Sequence, residues 1–210
     1  MTDEIEPRRY RPDDAVELTA LLNGAYRELR DTGLNFTAAT QGVVTTRQRV
    51  AEGVCWVVEH DGRVSATMTM SVPPPGDVRS LSEHARQANT GWLCQVAVGP
   101  ELRGRAVAKT LFDGARAWAE RHGITRIGLD TAAPAAHLVA MYERWGFEHV
   151  DDVHFPGKRY DSAVMTLALS GQGGPPRCPA VLHREPRGCS SGRPVCGAGQ
   201  HARLRRPSSC

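Results

Sequence analysis

Residues 96–119, VAVGPELRGRAVAKTLFDGARAWA, constrain the fold more than any other stretch of this chain. An apolar run over residues 92–98 leads into Gly99-Pro100 and then a short basic turn, Arg103-Gly104-Arg105. A helical pattern opens at once, because Val107, Leu111, Ala115 and Trp118 recur at the spacing of one helix face. A strand that feeds an Arg/Gly turn onto a helix N-terminus brings unpaired backbone N–H groups and the positive end of the helix dipole together. That is a ready anion site. The small residues Gly104, Ala106 and Ala108 let a phosphate approach the backbone. The bland alternative is a basic surface turn in front of a helix.

The 210 residues suit one domain, or one domain with a tail, and 40% hydrophobic residues support a sizeable core. The net charge of +3 is unevenly placed: from Gly171 onward there are seven arginines and one acid, which leaves residues 1–170 at −3. A mildly acidic body argues against a nucleic-acid-binding domain. The first ten residues, MTDEIEPRRY, lack the apolar core of a secretory signal, and no apolar run approaches membrane-spanning length. The expectation is a cytoplasmic protein without membrane or nucleic-acid partners. Four of six cysteines fall in the tail, while Cys55 and Cys94 lie in apolar strand patterns and read as buried thiols. The tail, residues 171–210, is rich in Gly, Pro, Ser and Arg and is expected to be disordered. Its Cys and His residues include no CxxC pair, so no metal site is expected.

In chain order, residues 5–9 read as a first strand and residues 13–30 as one helix with the stripe Leu18, Leu21, Leu22, Ala25 and Leu29. Residues 31–41 look like a loop and residues 41–52 like a short helix. Strands over 54–59 and 64–72 flank the hairpin signal Asp61-Gly62, and a proline run ends the second strand. Residues 77–90 form a loop or short helix, and the fourth strand covers 92–98. After the central helix, His122-Gly123 is a stop signal. A strand over 124–129 follows, then a helix opened by Pro134 with Leu138, Met141, Tyr142 and Trp145 on one side. A strand begins at 147–150, residues 151–160 make a long polar turn, and residues 162–169 form the last strand. A strand, a crossover helix and a strand in the middle imply one parallel pair within a mixed sheet.

Two stretches resemble the GNAT superfamily of N-acetyltransferases. Arg103-Gly104-Arg105-Ala106-Val107-Ala108 resembles the family's pyrophosphate loop, Gln/Arg-x-x-Gly/Ala-x-Gly/Ala, after the fourth strand. Tyr142-Glu143-Arg144-Trp145-Gly146-Phe147 resembles its Tyr-x-x-x-Gly-Phe, where a helix ends and the sixth strand begins. The order of elements agrees over nearly the whole body. The resemblance implies an α/β fold with a mixed, mostly antiparallel sheet, splayed central parallel strands and flanking helices. It implies a domain over residues 3–170 that moves an acetyl group from acetyl-CoA to a primary amine on a small molecule, peptide N-terminus or lysine. The amine attacks directly in a ternary complex. Alternatives are a transferase for another acyl-CoA, or a non-catalytic acyl-CoA-binding domain of the same fold. A homodimer is left open.

Carried over residue by residue, Val96, Ala97 and Val98 would pair with the pantetheine arm, with the Val98 N–H also facing the oxyanion. Arg103, Gly104, Arg105, Ala106, Val107 and Ala108 would hold the pyrophosphate. Tyr142 is the expected general acid toward the CoA thiolate. The family's cofactor-contacting Asn falls at Ala135 here. No carboxylate lies in residues 92–98 to act as base, and Gln95 cannot serve. Glu83, His84, Asp130 and His137 are the ionisable neighbours in sequence, each with a surface or structural role as the plainer account. Residues 31–41 and 151–160 would flank the acceptor. Within them Asp151, Asp152 and His154 could attract a cationic amine, and a solvated loop is the plainer reading.

Overall fold

Alternate residues of one strand serve two different cores. In the strand Gly53–His60 (β2), Trp56 and Val58 pack into one cluster, and Cys55 and Val57 into another on the opposite face. Because both faces are covered, this strand and its hairpin partner Arg63–Ser71 (β3) read as nearly continuous buried runs. The turn between them places Asp61 and Gly62 at φ 51° and 71°, the two positive values that an Asp-Gly hairpin supplies. This is a computed structural model and describes residues 6–169. The first residue of the expected first strand, Ile5, and the expected disordered tail, residues 171–210, lie outside the described residues.

The remaining elements, in order, are β1 (Arg8–Arg9), α1 (Ala15–Ala25), α2 (Arg27–Asp31), α3 (Val43–Ala51), α4 (Gly76–Leu81), β4 (Thr90–Val98), α5 (Val107–Arg121), β5 (Arg126–Ala132), α6 (Ala136–Arg144), β6 (Glu148–Val153) and β7 (Ser162–Ala168). Hairpin β2–β3 falls between α3 and α4. The seven strands form one sheet in the order β1-β2-β3-β4-β5-β7-β6. Only β4 and β5 are parallel; every other pair is antiparallel. The mixed sheet and the parallel pair joined through α5 are as the sequence implied, and a second crossover, through α6, carries the chain past the position of β7 to β6 at the edge.

The helix α5 covers one face with Val107, Leu111, Phe112, Ala115 and Ala119, all buried. Phe112 stacks on Trp145 at 4.9 Å and 13°, and tilts onto Phe147 at 5.6 Å. A buried side chain of this size contributes about 1.5–3 kcal/mol. The other face is covered by α1 and α3, through Leu18, Leu22 and Val50. The short β1 is held by side chains more than by its ladder. Arg9 lies over the rings of Trp56 and Trp118, and Arg8 donates to both Asp14 oxygens at 2.8 Å.

Three segments differ from the sequence expectation. The expected helix over 13–30 breaks at Tyr26, whose φ and ψ of −91° and 0° separate α1 from α2, although the Tyr26→Leu22 and Arg30→Tyr26 backbone bonds survive. The break turns the Tyr26 hydroxyl onto the Val96 carbonyl at 2.9 Å, a tertiary contact that local periodicity does not report. The expected polar turn over 151–160 starts later, because Asp151–Val153 pair with β7 through a bulge after His149. The last helix starts at Ala136, with Pro134 in the turn before it.

Two predictions follow from this packing. Gly128 on β5 faces the fully buried Trp92, and a Cβ there would fall within the indole ring. Gly128→Ala should therefore destabilise the chain by about 1–3 kcal/mol or more, read as a lower urea midpoint at unchanged m. The Arg8 hydrogen bonds hold the Asp14 carboxyl below the usual carboxylate range. A depressed folded-state pKa stabilises the protein above the unfolded value and is lost as pH falls through the folded one. Thermal midpoints should drop below about pH 4, and less steeply in Asp14→Asn.

Candidate active site

The site is made by two strands that part. Parallel pairing of β4 and β5 runs from Thr90/Arg126 to Leu93/Leu129 and then stops. Beyond that point β4 stays bonded to β3, and β5 to β7 as far as Ala132/Ser162. A bulge marks the parting. The register with β3 shifts between Thr67 and Thr69, and Gln95 opposite it adopts φ 51°. Its Oε1 accepts from Thr69 Oγ1 at 3.3 Å, while its Nε2 is buried with no partner. Strain of this kind costs on the order of 1–3 kcal/mol and persists where the surroundings enforce it.

Past the bulge, the Gly99 N–H donates to the Ser65 carbonyl at 2.7 Å. Bonded residues alternate along an antiparallel ladder, so the Val98 N–H faces away from β3 and toward the gap. The gap opens into a cleft of about 1130 Å³. Its walls include Leu93 to Val98, so Val96, Ala97 and Val98 all line it.

The cleft reaches the N-terminus of α5. Gly104 and Ala106 both have positive φ, 77° and 58°, and the helix has no side-chain cap. Thr110 N–H to the Ala106 carbonyl is the first helical bond. Among the described residues, the N–H groups of Gly104, Ala106, Val107, Ala108 and Lys109 have no acceptor. Successive free N–H groups on alternating backbone handedness form an anion-binding nest. Arg103, Gly104, Ala106, Val107 and Ala108 line the cleft, and Arg105 does not. The Arg103 guanidinium is engaged with Glu28 at 3.0 Å. Lys109 and Arg144, absent from the expected set, also line it.

Tyr142 lines the cleft with its ring fixed edge-on against Trp145 and Phe147. Its hydroxyl has no hydrogen-bond partner among the described residues. Burial pushes this phenol well above its ordinary range, with Tyr26, Asp130 and Cys94 adding to the shift. Cys94 also lines the cleft, and burial pushes its thiol up to about 11.

The remaining wall comes from α1, the 31–41 segment, α3, the end of β5 and the turn before β7. Tyr26, Phe36 and Tyr160 form an aromatic run with centroids 5.2 and 5.4 Å apart. Asp130 at the end of β5 accepts from Trp92 Nε1 at 2.9 Å. Arg49 and Lys158 complete this group, and neither was legible as a site residue in the sequence. Of the other ionisable neighbours His137 lines the cleft, whereas Glu83 and His84 do not. The expected amine-attracting group is also elsewhere: Asp151 accepts from Ser82, Asp152 bonds His149, His154 bonds Asp161, and none of the three lines the cleft. Among the described residues no helix is long and apolar enough to cross a membrane.

Comparison with known proteins gives a consistent answer. The profile of the Acetyltransferase (GNAT) family matches residues 17–147. The S-(2-succino)cysteine N-acetyltransferase of Bacillus subtilis (strain 168) is 29% identical over 139 residues, which is 64% of this chain and 78% of that protein. The ribosomal-protein-S18-alanine N-acetyltransferase from Escherichia coli superposes with a TM-score of 0.61 at 15% identity, over 81% of this chain and 96% of that one. The yncA protein from Salmonella typhimurium, solved with its cofactor acetyl-CoA, gives 0.60 at 19% identity, over 84% and 100%. At these identities the two structures show the shared fold.

The left-handed Ala106 yields a further prediction. A non-glycine residue there costs about 1–2 kcal/mol, part of which glycine returns as extra chain entropy in the unfolded state. Ala106→Gly should raise stability by up to about 1 kcal/mol in urea unfolding, because the nest already has the backbone that glycine prefers.

Proposed function

The chain belongs to the acetyltransferase (GNAT) family, and from that premise we propose that it carries acetyl from acetyl-CoA to a primary amine by direct attack within a ternary complex. The observation that carries this reading is the parted β4–β5 pair opening onto the free N–H nest of α5. An extended polar arm can add to the bare edge of β4, and a pyrophosphate can occupy the nest. Acetyl-CoA supplies the acetyl thioester. Residues 3–170 are proposed as the catalytic unit, with 171–210 appended to it.

The proposed roles follow from the geometry. Val96, Ala97 and Val98 offer the β4 edge. The Val96 carbonyl is already engaged by Tyr26, so the Val98 N–H is the free donor on that edge, positioned for a pantetheine amide or for the oxyanion at the reacting carbonyl. Gly104, Ala106, Val107 and Ala108 present backbone N–H groups to phosphate, while Arg103 and Arg105 contribute charge from the same turn. Burial raises the Tyr142 phenol and so favours its protonated form. A phenol pushed so far up donates a hydrogen bond to the developing thiolate and yields its proton only as that charge builds. Cys94, a thiol that lines the cleft, is the nucleophile to consider for a covalent route. Its thiol, at about 11, is almost wholly protonated near neutrality, which favours direct attack over an acyl-cysteine.

The B. subtilis relative is named for S-(2-succino)cysteine, and this supports a small-molecule amine as the acceptor. The free thiols Cys55 and Cys94 support a reducing, cytoplasmic compartment.

Acetyl-CoA should raise the thermal midpoint of the full chain, by the equivalent of about 2.7 kcal/mol at a hundredfold excess over Kd. Tyr142→Phe should keep that shift while thiol release falls by about 100-fold or more. An unchanged rate in Tyr142→Phe would remove the proton-donor role. No shift at millimolar acetyl-CoA would remove the nest as a phosphate site.

A further inference from the structure

Of the charged side chains that line the cleft, three are partly buried and have no partner of opposite charge among the described residues. Asp130 has one hydrogen bond, from Trp92 Nε1. Arg49 donates Nη1 to Gln41 Oε1 at 2.9 Å. Lys158 donates Nζ to the Asn35 carbonyl at 2.7 Å and to Thr37 Oγ1 at 3.0 Å. Among the described residues none of the three is in an ion pair. All three are partly buried, come from three separate elements and line the same cavity. Each cation keeps N–H donors that no protein acceptor uses. Unpaired charge in a half-enclosed cavity is costly unless a ligand complements it.

We propose that this end of the cleft binds an amine that carries its own carboxylate: Asp130 receives the ammonium and then its proton, and Arg49 and Lys158 hold the carboxylate. The proposal rests on the acetyl-transfer reading and names its acceptor class, an amino acid or similar amino-carboxylate. The Gln41, Asn35 and Thr37 contacts fix both cations in place before the ligand arrives, so little side-chain entropy is lost on binding. The aromatic run of Tyr26, Phe36 and Tyr160 beside them offers an apolar wall for the rest of the acceptor.

The charges also link binding to proton transfer. Burial raises the Asp130 carboxyl above its ordinary value, which makes it a better base. Asp77, at the exposed rim on α4, pushes the same way, while the Trp92 hydrogen bond, Arg49 and Lys158 pull it down. Tyr26, Tyr142 and Tyr160 also face Asp130, as neutral phenols. An acceptor carboxylate on Arg49 and Lys158 offsets their charge and so raises the affinity of Asp130 for the proton. The ammonium then gives one proton to an Asp130 oxygen. The neutral nitrogen forms the C–N bond as the C–S bond of the thioester breaks. The second nitrogen proton goes to the leaving sulfur, with Tyr142 bridging, and water takes the first proton from Asp130.

The test is thiol release by the full chain with acetyl-CoA and paired acceptors. L-glutamate, L-aspartate and S-carboxymethyl-L-cysteine are compared with their diamides, which keep the amine and carry no carboxylate, with spermidine as a further carboxylate-free amine. At least one free acid should exceed its amide by about tenfold or more in kcat/KM, the worth of a lost charged hydrogen bond. Arg49→Gln and Lys158→Gln should each shrink that preference through KM and leave the acetyl-CoA thermal shift unchanged. Asp130→Asn should lower kcat about 100-fold or more and flatten the rising limb of the pH–rate profile, with Asp130→Glu restoring part of both. Trp92→Phe, which removes the indole donor and spares the carboxylate, should move that limb to higher pH. Equal use of acids and amides, turnover of spermidine alone, or an acid preference that survives both cation variants would overturn the inference and leave amine transfer standing. A normal acetyl-CoA shift with no acid or amide turned over would also overturn it, whereas loss of the shift itself points to failure of the donor reading.

Discussion

The parting of β4 from β5 after Leu93 and Leu129 is the constraint on which the rest of the cleft depends. Two parallel strands that separate lose the ladder between them and leave gap-facing main-chain groups unpaired by the sheet, so each strand must be held otherwise. The fold answers by holding each strand from its far side. β3 stays with β4 to Val98, and β7 pairs with β5 over all seven of its residues. The bulge at Gln95 turns β4 away, and the Tyr26 hydroxyl takes the Val96 carbonyl. What is left over is a stiff edge with the Val98 N–H turned inward. A donor held by a sheet needs no reorganisation when charge develops beside it.

The second consequence concerns the arginines of the basic turn. Arg103 is paired with Glu28, and Arg105 is outside the cleft lining. The backbone is better placed than either side chain, because the left-handed Ala106 opens the helix with the consecutive N–H groups of residues 106–109 free of protein acceptors. Ala106 does not distort the loop; it adopts the left-handed conformation that glycine would take freely and carries the steric cost. The sequence motif therefore reports a backbone shape first and a charge second.

This distinction explains what was legible in advance. The hairpin at Asp61-Gly62, the amphipathic α5 and the crossover to β5 are local patterns, with every determining residue within a few positions of the next. The nest and the Tyr142 helix were legible for the same reason. The acceptor wall was not. Lys158 is anchored to Asn35 and Thr37, Tyr26 reaches Val96, and Trp92 reaches Asp130, all across long stretches of chain. No periodicity encodes such pairs. Asp130 in particular looked like a surface acid at a strand end, and only the tryptophan folded against Gly128 shows that it is turned inward. The helix break at Tyr26 was hidden in the same way, because the hydrogen bond that rewards it lies seventy residues away.

Burial acts on Tyr142 and Asp130 in the same direction, and the proposed reaction puts the two shifts to opposite uses. Both groups are pushed upward, because an enclosed cavity disfavours their charged forms. For the phenol this favours the protonated form, which the proposed donor role needs. For the carboxyl it strengthens proton affinity, but a base must begin ionised, and desolvation alone would tend to neutralise it. Arg49, Lys158 and the Trp92 N–H oppose that tendency. In the proposed reaction the two cations are thus part of the proton chemistry as well as of binding. Removing their influence only when an anionic group arrives confines the strong base to the moment when an amine is beside it.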